Sequence, residues 1–352
     1  NPDPGGPQIS VFSLGSARKR HLYLTHFDVN PKLQVMQAHA IVFQSPQHLS
    51  VRGLDLPAPG VGEAEVEVEF SGISTGTERL LWDGSMPAFP GLGYPLVPGD
   101  ETVARVIRTG PGCELDIGQR VFVPGSSCFQ GVKSLFGGAA SRLVVAQNRV
   151  AVVQDHLQER AVLLALAATA YHAVALGGKR QDIAPPELII GHGVMGRLLA
   201  RLTVASGSPA PTVWETQAER MAGAQGYAVC RPQDDDRRDY QAIYDVSGQA
   251  DDLGQWMQRL APGGEIVLAG NYRQALRFEH AQAYAREATV RTAAQWQRAD
   301  LMAVTELANS GRLSLDGLIT HTQPSTHAGS AYETAFGDAS CLKMILDWSA
   351  SS

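Results

Sequence analysis

Glu187-Leu188-Ile189-Ile190-Gly191-His192-Gly193-Val194-Met195-Gly196-Arg197-Leu198-Leu199 is the stretch whose reading decides the fold. The apolar run Leu188 to Ile190 reads as a buried parallel strand, and it feeds into glycines spaced G-x-G-x-x-G that open an apolar helix, Leu198 to Val204. In a dinucleotide-binding turn each glycine has its own task. Gly191 permits the tight turn, Gly193 lets the backbone approach a pyrophosphate, and Gly196 lets helix and strand pack closely. The free N–H groups of Val194 and Met195 would then face the phosphate charge. Glycines so spaced also serve ordinary turns; here strand, glycines, helix and next strand agree, and together they favour nucleotide binding.

Downstream, Pro211 to Trp214 form a second strand that ends at Glu215, 19 residues after Gly196. An acidic residue there accepts both ribose hydroxyls and repels a 2′-phosphate. Thr216 follows it rather than an arginine, so NAD is favoured over NADP; the plain alternative is a solvated glutamate at a strand end. Tyr244 to Gly248 and Glu265 to Gly270 look like the fourth and fifth strands of the same parallel sheet. Their small terminal residues, Ser247 and Gly270, leave room for a nicotinamide ring at the carboxyl ends, where ligands sit in such sheets.

Upstream the text is β-rich, with strands expected at Ala38–Phe43, Ala64–Phe70, Val103–Ile107, Arg120–Val123 and Leu143–Val145. Val66, Val68 and Phe70 alternate with Glu65, Glu67 and Glu69, the period of a half-buried strand. Short strands punctuated by glycine and proline suggest a small barrel. An Ala- and Leu-rich helix follows, from about Leu157 to Leu176. Beyond Trp296 the pattern gives a helix (Leu301–Asn309), a loop (Leu318–His321) and a last strand (Lys343–Leu346). The expected class is α/β: a β-barrel domain over residues 36–156, a doubly wound parallel sheet over 157–300, and a return to the first domain over 301–352. Residues 1–35, with the basic cluster Arg18-Lys19-Arg20, read as an extension outside the fold.

The 352 residues are 44% apolar and 18% charged, an ordinary globular composition. A net charge of −6 argues against nucleic acid or an anionic membrane as the main partner. Cys113, Cys128, Cys230 and Cys341 have no metal-type spacing and fit a reducing cytoplasm. No run has the length of a transmembrane helix.

The motifs resemble, in order, those of the medium-chain dehydrogenase/reductase superfamily over about residues 36–349. They are Gly72-Ile73 after a strand, Pro98-Gly99-Asp100-Glu101, Thr169-Ala170-Tyr171-His172, the glycine fingerprint, and Pro262-Gly263-Gly264. The resemblance implies a GroES-like barrel as catalytic domain, a Rossmann domain for the nucleotide, and pairing into a homodimer. It also shows a departure. Zinc members hold their catalytic metal through a Cys, a His and a Cys or Glu; here those places carry Ser74 or Thr75, Asp100, and a position near Leu166. Ser and Thr are poor zinc ligands, and Leu is none. The four-Cys structural lobe is missing as well. No metal is expected, although Asp100 and Glu101 could hold a hard cation.

Without zinc, a side chain must take the alcohol proton as hydride leaves. By analogy of spacing, Thr77 and Glu78 stand where zinc members place a Ser/Thr–Asp pair, allowing for one extra residue. Thr77 would relay the proton and Asp100 or Glu101 would accept it, given enough burial to raise a carboxylate's pKa. Tyr94 and His172 are rivals, His172 reading more simply as a packing or capping histidine. Thr169 matches a residue that flanks the nicotinamide, or is a helix hydroxyl bonded to its own backbone.

Two segments, Ser71-Gly72-Ile73-Ser74-Thr75-Gly76-Thr77-Glu78 with Leu81-Trp82, and Met86 to Gly99, resemble a branch of the superfamily that acts in bacteriochlorophyll biosynthesis. That branch oxidises the 3-hydroxyethyl group of a chlorin ring to acetyl with NAD. Leu81, Trp82, Met86, Phe89 and Tyr94 would then form a loop-borne wall for a flat macrocycle, bordered by Leu135-Phe136-Gly137-Gly138. The bland alternative is that they close the barrel end. Two further functions stay open: a quinone or enone reductase of the same superfamily, and a nucleotide-binding sensor without turnover.

Overall fold

The computed structural model describes residues 36–175, 183–249, 253–272, 274–293 and 295–349. The expected extension, residues 1–35, and the end of the helix at Leu176 lie outside the described residues. Six parallel strands make one sheet, ordered Ala228–Cys230, Thr212–Trp214, Leu188–Ile190, Tyr240–Asp245, Leu260–Leu268, Thr289–Thr292. Counted along the chain this is 3-2-1-4-5-6, the doubly wound order. Leu188–Ile190 lies at its centre and is buried on both faces. Ile189 packs with Val213, Tyr244, Val267 and the helix residues Leu198 and Leu199, while Leu188 and Ile190 pack with Trp214, Ile243 and Ile266. A continuous apolar run is therefore what a covered parallel strand needs.

The fourth and fifth strands lie earlier than the residues suggested. Tyr240–Asp245 stops where Asp245 turns its carboxylate onto Ser247 N–H, and Gly248 follows with φ +72°. Leu260–Leu268 begins before Pro262-Gly263-Gly264 and runs through it.

The spine of the β-rich part is Glu63–Ile73, which pairs antiparallel with Thr102–Thr109, Arg142–Ala146 and Met344–Asp347. Its valines face the core as expected, but Glu65 is not solvated. It is buried against Arg108 at 2.7 Å, its register partner across the strands, while Glu69 pairs with Arg105 and Arg120. Cross-strand arginines thus roof the acidic side of the strand. A second sheet is built on the hairpin Met36–Ser45 with His48–Leu56, whose second strand has no clear alternation to betray it.

Four other elements differ from expectation. Thr77–Asp83 is a helix rather than loop, the Ala-rich helix is a 3-10 segment (Asp155–Leu163) followed by α-helix Leu164–Ala175, and Ala328–Gly337 is an additional helix. His321 begins a strand, His321–Pro324, instead of closing a loop. The chain then threads Met344–Asp347 between that strand and Glu63–Ile73, and Trp348 Nε1 locks it by donating to Ser71 Oγ at 2.8 Å. Among the described residues no helix is long and apolar enough to cross a membrane.

Candidate active site

The glycine turn behaves differently at its three positions. Gly191 has φ +103°, and a Cβ on Gly196 would lie 1.9 Å from Gly191 O, so both are dictated by the protein's own packing. A Cβ on Gly193 would meet only Arg220 Nη1, at 3.9 Å. The space above Gly193 is open. The helix Val194–Ala205 has no side-chain cap, which leaves the first-turn N–H groups, those of Val194 and Met195 included, for a ligand.

Glu215 is buried rather than solvated. Its Oε2 accepts His192 N–H at 2.9 Å, and its Oε1 accepts the N–H groups of Thr216 and Gln217 at 2.7 and 2.8 Å. A carboxylate oxygen has lone pairs beyond these for ribose hydroxyls. Beneath the turn lies a cluster the sequence did not reveal. Arg197 donates to the carbonyls of His192, Arg220 and Ala222. His192 Nδ1 faces Arg220 O at 2.6 Å and must donate, so Nε2 accepts from Tyr227 Oη at 2.8 Å. Burial pushes His192 down to about 4, and it stays neutral. Arg197 and Arg201, one turn apart in an apolar helix, were the available sign.

At the carboxyl ends of the fourth and fifth strands, Asp245 Oδ1 accepts the N–H and hydroxyl of Ser247, and Oδ2 accepts the Tyr272 hydroxyl. Gly270 packs against Gly248, where a Cβ would stand 3.0 Å from Gly248 N. Asn271 reaches across, its Nδ2 2.4 Å from where a Cβ on Gly76 would be, so a side chain there would displace the amide. This brings the strand ends against the start of helix Thr77–Asp83. Thr169 Oγ1 donates to Ala165 O at 3.0 Å, the plain reading of that hydroxyl.

The four candidate catalytic residues separate into distinct environments. Glu101 is buried in an ion pair with Lys343, Nζ to Oε2 2.6 Å, and is no free proton acceptor. Glu78 is buried too; Oε2 accepts the Tyr332 hydroxyl at 2.6 Å and Oε1 has no partner. Burial pushes its carboxyl up to about 8, with smaller contributions from Asp100 and Glu101. Asp100 keeps part of its surface open while Oδ1 is shut from solvent without a partner. Burial, then the charge of Glu101, pushes it up to about 7, and Lys343 acts the other way. Thr77 N–H points to Ser74 Oγ at 3.4 Å. The rival bases are occupied: Tyr94 donates to Leu81 O, and His172 Nδ1 meets Asp300, the carboxylate that caps helix Arg298–Asn309, at 2.8 Å. Lys343 and Tyr332 are the site residues that sequence reasoning missed.

The expected substrate wall is narrower than its five residues. Leu81 is fully buried and offers no surface. Trp82 stacks on Tyr332, centroids 6.0 Å apart, and also meets Phe43 and Phe336. Met86 and Tyr94 are half-buried, and Phe89 is exposed. Gly138 N–H bonds Gly99 O at 2.8 Å, so the second glycine loop lies directly against the turn that carries Asp100.

The places that the resemblance gives to catalytic-zinc ligands carry Ser74 or Thr75, Asp100 and a position near Leu166, a donor set that does not suit zinc, and among the described residues no group of three or more His, Cys, Asp or Glu side chains could hold a metal ion. Cys113 and Cys128 are half-buried free thiols against the barrel core.

The alcohol dehydrogenase GroES-like domain matches residues 60–155. The 2-desacetyl-2-hydroxyethyl bacteriochlorophyllide A dehydrogenase of Rhodobacter capsulatus is 49% identical over 314 residues, 89% of this chain and 99% of the relative. The protein of that name from Cereibacter sphaeroides is 48% identical, covering 90% and 100%. The crystal structure of 2R,3R-butanediol dehydrogenase from Bacillus subtilis superposes with a TM-score of 0.76 at 20% identity, covering 88% of this chain and 99% of that one. Fold and site thus define an oxidoreductase of the medium-chain dehydrogenase/reductase superfamily. Within it, the chain belongs to the family of the 2-desacetyl-2-hydroxyethyl bacteriochlorophyllide A dehydrogenases.

Proposed function

We propose that this chain oxidises the hydroxyethyl group of a bacteriochlorophyllide to acetyl, with NAD as hydride acceptor and without a catalytic zinc. The names of the two relatives support the substrate. The observation that carries the chemistry is Asp100: a carboxylate with one buried, unpartnered oxygen, at the place that the resemblance gives to a zinc ligand.

Gly191, Gly193, Val194, Met195 and Gly196 would hold the pyrophosphate, Glu215 the ribose, and Ser247, Gly270 and Thr169 would border the nicotinamide. The acidic Glu215 supports NAD over NADP. NAD, when bound, supplies the hydride acceptor. Asp100 takes the hydroxyl proton, directly or through Thr77, and a carboxyl near 7 is matched to that task at neutral pH. Glu78, near 8, is protonated under the same conditions and is not the base. Trp82, Met86, Phe89 and Tyr94 offer the apolar surface for the macrocycle, with Leu81 as backing.

The test is to mix chelator-treated protein with the hydroxyethyl bacteriochlorophyllide and NAD, following chlorin absorption and NADH together. Coupled appearance of acetyl product and NADH is expected. Turnover only after added zinc would overturn the metal-free mechanism. NADH binding without turnover would favour a silent sensor, and NADPH-dependent reduction of an enone would favour the reductase.

A further inference from the structure

Lys343 is 2% exposed, and its ammonium makes two bonds: to Glu101 Oε2 at 2.6 Å and to Ile73 O at 3.1 Å. Ile73 immediately precedes Ser74, and Glu101 immediately follows Asp100. The same two segments are joined by Gly72 N–H to Glu101 O at 2.8 Å. The Glu101 carboxylate lies so close to Gly72 that a Cβ there would stand 2.2 Å from Oε2. The strand Met344–Asp347, in register with Ile73 through Met344, delivers the lysine to this point.

A buried ion pair is weak evidence of stabilisation, because neutral, well-packed side chains of similar size often serve the fold as well. Three carboxylates share the neighbourhood: Glu78 from helix Thr77–Asp83, then Asp100 and Glu101. The Tyr332 hydroxyl faces Glu78 from helix Ala328–Gly337, and the positive charge of Lys343 acts on both Glu78 and Asp100. Oxygen gains negative charge as the hydroxyl proton leaves, and a fixed cation nearby offsets it.

We infer that Lys343 is a positioning residue for the oxidation, tying the Ser74 segment to the Asp100 segment through Glu101 and Ile73. The inference rests on Asp100 as proton acceptor.

K343M, K343R, the double variant E101Q/K343M and D100N are compared for kcat, for KM of NAD, for NADH binding and for melting temperature. K343M is expected to lose about a hundredfold in kcat with the KM for NAD unchanged, and K343R to recover most of it. The double variant, which removes both members of the ion pair together, is expected to melt near the parent and remain slow; it carries the test where K343M fails to fold. Parental kcat in the double variant overturns the inference, since the pair is then only scaffold. A D100N enzyme with parental turnover overturns the choice of base instead, whatever the lysine variants do.

Discussion

Tyr332 donates its hydroxyl to Glu78 Oε2 across 2.6 Å, joining residues 254 positions apart. Tyr332 also stacks on Trp82, one helical turn after Glu78, so a single ring holds both the carboxyl and the aromatic surface beside it. Burial outweighs the Tyr332 bond and keeps the Glu78 carboxyl up near 8, against an ordinary value of 4.5.

That shift makes stability depend on pH in a definite direction. The folded protein retains the Glu78 proton where the unfolded chain has released it. Stability is therefore complete below about pH 4.5 for this group and falls as pH rises towards about 8. Asp100, raised to about 7, adds to the same decline. Glu78→Gln, which still accepts from Tyr332, should flatten the decline in melting temperature between about pH 5 and pH 8 by about 5 °C. A variant whose melting temperature falls as steeply as the parent's would contradict the raised carboxyl.

Asp100→Asn should reduce kcat by about 10²–10⁴-fold while NADH still binds. The parent's kcat/KM for alcohol oxidation should rise with pH through about 7, as Asp100 ionises. A pH profile of the residual activity that keeps the same rise would assign it to another group.

The open space at Gly193 and the filled space at Gly196 predict opposite phenotypes. Gly196→Ala puts a methyl 1.9 Å from Gly191 O and should lower the melting temperature. A Cβ at Gly193 meets nothing in the protein nearer than 3.9 Å, so Gly193→Val should fold normally, yet lose NADH binding. Fluorescence titration with NADH, set beside thermal melts, separates the two; normal NADH affinity in Gly193→Val would make the fingerprint incidental.

Glu215→Ala should weaken NAD and narrow its advantage over NADP. Some loss for both nucleotides is expected, because the carboxylate also holds three backbone N–H groups of the turn and the following loop. An unchanged ratio of the two affinities would remove Glu215 from the ribose site.

The nucleotide turn was legible because its requirements are local: Gly191, Gly196 and the apolar run before them lie within nine residues. The carboxylates were not separable in the same way. Asp100 and Glu101 are adjacent in sequence, and what divides their roles is Lys343, 242 residues from Glu101. The glycines and prolines after Leu81 suggest an exposed loop, whereas Thr77–Asp83 is one short helix that turns Leu81 inward. His172 could be read as structural from its setting in the Ala-rich helix, but its partner Asp300 lies 128 residues on.

Met344–Asp347 lies between two other strands of its sheet, and Tyr332 and Lys343 both come late in the chain. The order of synthesis therefore matters. The parallel sheet is complete by Thr292, whereas the reactive half waits for the final strand to leave the ribosome. Until then the Phe70–Ile73 end of Glu63–Ile73 presents an unpaired edge, the kind that recruits other chains into aggregates. A nascent molecule thus acquires its grip on the nucleotide before its chemistry. A chain stopped after residue 330 should bind NADH, turn nothing over, and aggregate through the edge that the last strand normally covers.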